Sequence, residues 1–104
     1  MKSGGKVLQL GADRDTSSVP YIGAESNHAF DIITNNTQRV RVDASGNVGI
    51  GTTAPDELLH LKSGLSEEPT LLIENGNADA GGAQLEFYKS DTTSEADNDT
   101  LGRI

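Results

Sequence analysis

An all-β fold is predicted for this 104-residue chain, and three observations predict it. Apolar and polar residues alternate in short runs, the period of a strand with one dry and one wet face. The runs recur at intervals of 10–15 residues, which leaves little room for helices between them. The breaks are rich in Gly, Asn, Asp, Ser and Thr, the residue types of turns.

Taken in order, Lys6 to Leu10 places Leu8 and Leu10 on one face of a strand. Polar breaks follow over 11–18 and 23–28. Ala29 to Thr34 then sets Phe30 and Ile32 on one face, with Asp31 and Ile33 on the other. Val40 and Val42 alternate with Arg39, Arg41 and Asp43, and Val48 and Ile50 repeat the alternation after Ala44-Ser45-Gly46-Asn47. Gly46 and Asn47 tolerate a positive φ, so a tight hairpin is expected there. Gly49 and Gly51 have no side chain to pack inside the second strand, so another backbone is expected to approach them closely. Thr53-Ala54-Pro55-Asp56 offers a helix cap and a first-turn proline, enough for one helical turn before Leu58. Further strands are expected at Leu59 to Leu61, Thr70 to Asn75 and Ala83 to Lys89, and Leu101-Gly102-Arg103-Ile104 reads as the opening of another. A faint internal repeat links 7–13 with 71–77.

Composition limits what such strands can bury. Leu, Ile, Val and Phe fill 23 of 104 positions, with no Trp and one Met, close to the ~20% below which a charged chain stays disordered. Strands from several copies can pool their dry faces, and association then supplies the buried area one copy lacks. The chain reads as an obligate oligomer. Its net charge of −8 opposes a phosphate backbone, so no nucleic-acid partner is expected. No apolar stretch approaches the ~20 residues of a membrane-spanning helix, so membrane insertion is not expected either. With no Cys, disulfides and thiolate metal sites are excluded.

The run from Arg39 to Leu61 resembles a module that recurs in the shafts of bacteriophage tail fibres and tail spikes. The resemblance rests on Gly46-Asn47-Val48-Gly49-Ile50-Gly51-Thr52, on Pro55 and on Leu59-His60-Leu61, with Phe30 to Asn36 similar to the strand and turn that precede it. It implies an intertwined parallel homotrimeric fibre, of triangular β-prism or interleaved β-helix type, with the dry faces of three chains turned inward. The trimer core and turn would then be formed by Val40, Val42, Gly46, Asn47, Val48, Gly49, Ile50, Gly51, Pro55, Leu59 and Leu61. Three parts are expected: 1–52, a first β shaft unit ending in the hairpin 39–51; 53–69, a connecting corner and short strand; and 70–104, a second unit incomplete at its C-terminus. The implied role is a non-enzymatic structural component of the virion tail, assembled in the host cytoplasm and contributing to host attachment. Its expected partners are its own copies, other tail or baseplate proteins, and a host receptor reached through a distal part. The alternative is a module that binds a host-surface glycan through its loops, with Tyr21 and Tyr88 as the contact rings.

Chemical readings of the same residues are weaker. Gly46-x-x-Gly49-x-Gly51 lacks the helix that a nucleotide-binding glycine motif must open, and Pro55 interrupts it. Asp43, Ser45 and Asn47 are spaced like the start of a calcium loop, but Val48 and Ala54 stand where Gly and Glu are needed. Asp13, Asp15 and Ser17, and Asp97 to Asp99, are equally incomplete. His60 is expected to face away from Leu59 and Leu61, and His28 to lie at a strand edge. Glu25, Glu67 and Glu68 could serve as a carboxylate pair for glycoside cleavage, but nothing in the sequence sets them together. No catalytic residue, metal or cofactor is expected.

Overall fold

The computed structural model describes residues 2–11 and 19–88. Among these the chain is all-β, with two small sheets and no helix. The chain divides into two units, Met1–Thr70 and Leu71–Ile104.

The first sheet is built from β1 (Lys2–Ser3), β2 (Lys6–Gly11) and β3 (Tyr21–Ala24), in that order and antiparallel. Leu8 pairs with Ala24 and Leu10 with Ile22, so these four share a face, while Gln9, Tyr21 and Gly23 lie on the other. Tyr21 Oη donates to Gln9 Oε1 at 2.9 Å, and Gln9 Nε2 donates to Glu25 Oε2 at 3.1 Å. This polar relay locks the second face of the ribbon.

The second sheet runs β4 (Phe30–Thr34), β5 (Thr37–Val42), β6 (Val48–Ile50) and β7 (Leu59–Leu61), again in spatial order. Asn35 and Asn36 join β4 to β5 with φ of 50° and 54°, the double left-handed conformation of a two-residue turn whose twist suits a hairpin. The register slips between Ile32 and Ile33, where Val40 and Gln38 are the partners, so Arg39 is the extra residue of a bulge. Its Nε donates to Thr34 Oγ1 at 2.9 Å.

The turn between β5 and β6 is organised by Asp43. Its carboxylate accepts the Ser45 and Asn47 N–H groups, both at 2.9 Å, which is how an Asp side chain stands in for a backbone turn. Gly46 takes φ of 91°, and Asn47 does not share the positive φ. β6 and β7 are parallel, joined by the corner 51–58, although parallel neighbours are usually linked by a longer crossover. The short link works because each strand is only three residues long and because Gly51 reverses the chain at φ of 78°.

Several sequence expectations are corrected. Tyr21–Ala24 is a strand, although its glycine and its single Ile hide the alternation. Thr70 to Asn75 and Ala83 to Tyr88 form no strand despite clear alternation, so β2 has no strand counterpart at 71–77. No helical turn forms at 53–58. Thr52 Oγ1 takes the Ala54 N–H at 3.1 Å and His60 Nδ1 takes that of Asp56 at 3.2 Å, so side chains take up these two donors without a helix. His28 sits in the bend between β3 and β4, its Nδ1 2.9 Å from Ser26 Oγ. Lys89, the strand opening at 101–104 and the cation spacings at 13–17 and 97–99 lie outside the described residues.

Candidate functional site

The register of the second sheet aligns its apolar residues into two rows. Phe30, Val42, Val48 and Leu59 stand side by side across the four strands, and so do Ile32, Val40, Ile50 and Leu61. Side chains alternate between faces along a strand, so both rows lie on one face. The row between them, Asp31, Arg41, Gly49 and His60, lies on the other.

That other face is closed by the chain's own corner. Gly49, Thr52 and Pro55 are buried, and Arg41 Nη1 donates to the Thr53 carbonyl at 3.1 Å. Arg41 also grips Asp31 through Nε and Nη2, both at 2.7 Å. The two-pronged geometry is the strong form of this pair. A Cβ at Gly49 would stand 2.7 Å from the Thr52 carbonyl oxygen, and one at Gly51 would collide with that of Lys62. The backbone that approaches both glycines is therefore this chain's own. These two residues report the corner, and they say nothing about a neighbouring copy.

The aliphatic face has no such cover. Ile32 is 52% exposed, Leu59 57%, Ile50 44% and Val42 37%, and among the described residues no Val, Ile, Leu, Phe or Tyr is buried. Scattered exposed apolar residues are ordinary, but a contiguous patch of this kind marks an interaction surface. Of the residues singled out by the sequence, Val40, Val42, Val48, Ile50, Leu59 and Leu61 meet on this face. Gly46 and Asn47 form the turn at its end, and Gly49, Gly51 and Pro55 belong to the corner behind it.

Two carboxylates are held below the usual carboxylate range. For Asp31 the hydrogen bonds from Arg41 dominate, opposed in part by desolvation. For Asp43 the backbone N–H of Asn47 is the leading cause. A carboxyl whose folded pKa is depressed contributes stability above its unfolded pKa of about 3.9, and that contribution is lost as pH falls through the folded value. Arg41→Met is therefore expected to lower Tm at pH 7 by roughly 4–8 °C, the shift that ~1 kcal/mol gives in a small domain. It should also flatten the fall in Tm between pH 4 and pH 2. Thermal melts at pH 2, 4 and 7 check both, and an unchanged pH dependence would remove Asp31 from the stabilising set.

The acidic residues considered for catalysis do not assemble. Glu68 accepts from Ser63 Oγ at 2.9 Å while Glu25 is held by Gln9, and among the described residues no group of three His, Cys, Asp or Glu could hold a metal. His60 lies on the face opposite the leucine pair, half-buried against the corner. Sequence reasoning missed the Asp31–Arg41 pair and the relay from Tyr21 to Glu25. The alternation around Asp31 and Arg41 places both on the wet face, but only the register sets them opposite each other.

Comparison with protein-family models, with curated proteins and with solved structures found no match for the chain.

Proposed function

We propose that the chain is a structural, non-enzymatic segment of a homotrimeric phage tail fibre or tail spike shaft, in which the aliphatic face of the second sheet is the assembly surface. The observation that carries the reading is the contrast between the two faces of that sheet. One is sealed by the chain's own corner and an Arg–Asp pair. The other presents eight aligned aliphatic and aromatic side chains, four exposed and four half-buried, in a chain whose described residues bury no Val, Ile, Leu, Phe or Tyr. Obligate oligomers build their interfaces as a domain core divided between copies, and this face has that composition. The resemblance of Arg39 to Leu61 to the shaft module implies the number of copies and the setting. The reading places the protein in the virion tail, with other tail or baseplate proteins beside it and host attachment as the purpose of the whole assembly.

Absolute mass by size exclusion with light scattering tests it. The expected species has three times the 10.9 kDa mass of one chain and persists on dilution. A folded monomer at all concentrations would overturn the assembly reading.

A further inference from the structure

A second feature of the first unit lies apart from the corner. The bend after β3 and the turn after β5 enclose a half-open cleft of about 370 Å³, within the size range of small-ligand sites. Tyr21 and Phe30 supply aromatic rings to its lining, Ile22 and Val42 supply aliphatic surface, and Glu25 and Asp43 supply carboxylates. No Lys or Arg lines it.

The chemistry of that lining selects among ligands. An anion meets two carboxylates and no fixed positive charge. A polyol needs free donors and acceptors, but most of those in the lining are engaged with each other: Tyr21 Oη donates to Gln9, Gln9 donates to Glu25, and His28 Nδ1 lies 2.9 Å from Ser26 Oγ, which leaves the Asn27 amide. Breaking that relay would cost what the new hydrogen bonds return. A cation with a methylated head asks for neither. It can draw on the carboxylates and on the Tyr21 and Phe30 rings of the lining, the two kinds of group that together recognise quaternary ammonium heads. Asp43 keeps its charge to low pH, because its oxygens are held by the turn amides.

We propose that the cleft between the β3 bend and the β5–β6 turn binds a small organic cation with an alkylated ammonium head. The cleft lies within one chain but shares Phe30 and Val42 with the aliphatic face, so the inference is made for the cleft as the single chain presents it.

Choline is the probe, and 3,3-dimethylbutan-1-ol, its uncharged isostere, is the control. In amide-resolved NMR of the full chain, choline at millimolar concentration is expected to shift the signals of residues 23–28 and 43–46, and the alcohol to leave them in place. Glu25→Gln, at an exposed position, is expected to weaken choline about fivefold, the factor equivalent to ~1 kcal/mol from a partly exposed charge contact. Phosphatidylcholine vesicles separate the two sources of such a head group. Co-sedimentation supports a lipid-borne cation, and choline binding without it supports a free one. Binding of neither, equal binding of the neutral alcohol, shifts confined to other residues, or undiminished binding by the Glu25→Gln protein would each overturn the proposal.

Discussion

Replacing Val48 with aspartate is expected to abolish assembly and leave a chain of 10.9 kDa that retains its hairpin. Val48 pairs with Val42 on one side and Leu59 on the other, in the middle of the open aliphatic face. In the isolated chain it is only half-buried, so a carboxylate there can reach water and the local fold survives. In a trimer built on this face, three carboxylates would be brought together in an apolar layer. Each replaces an aliphatic burial worth roughly 1.5–3 kcal/mol with a charge whose desolvation costs several more. The mutation thus separates the two roles of the sheet. The measurement is light-scattering mass together with far-ultraviolet circular dichroism. A trimer of unchanged stability would sink the assembly model, and loss of strand signal along with mass would mean that the face also holds the single chain together. Thr37→Asp, at an exposed position in the same sheet and outside the two apolar rows, is the control expected to keep the trimer.

Alternation in the sequence tells which residues could share a face, and no more than that. It located β2, β4, β5, β6 and β7, and for the last four a second run of matching pattern lies a turn or a short corner away and can supply the ladder. Leu71 and Ile73, and Leu85 and Phe87, carry the same pattern, yet these segments form no strand and all four side chains are exposed. A strand is a pairing before it is a pattern, and its backbone groups must find partners. Tyr21–Ala24 is the opposite case. Gly23 breaks its alternation, but β2 offers a free edge and the segment pairs along it. The glycines of the hairpin were legible as a requirement for space. The identity of the group that needs the space was not, because only the three-dimensional path brings Thr52 over Gly49 and Lys62 over Gly51. The same limit hid the cleft, whose lining is drawn from residues as far apart as Gln9 and Gly46.

Gly46 and Gly51 both sit at positive φ, 91° and 78°, and alanine is expected to affect them unequally. A left-handed conformation costs an L-residue roughly 1–2 kcal/mol. At Gly46 that is the whole cost, because nothing lies within 4 Å of an added Cβ. At Gly51 the Cβ also runs into the Lys62 carbonyl, which is backbone and cannot rotate away. Relief requires the end of β7 to move, and the bond from Lys62 N–H to the Ile50 carbonyl, now 2.9 Å, goes with it. Another ~1 kcal/mol or more is lost there. Gly51→Ala should therefore cost on the order of 3 kcal/mol and lower Tm by more than about 10 °C, with Gly46→Ala shifting it by about half as much or less. Amide exchange places the damage. In the Gly51→Ala protein the N–H groups of Val48 and Lys62, which bridge β6 and β7 through Leu58 and Ile50, should lose protection, while the β4–β5 hairpin keeps its own. Equal losses from the two substitutions would mean that backbone strain alone governs both sites and that the close approach of Lys62 to Gly51 contributes nothing. Unequal losses in the expected order would identify Gly51 as the residue that lets two parallel strands be joined by so short a corner, and so as the residue on which the place of β7 in the aliphatic face depends.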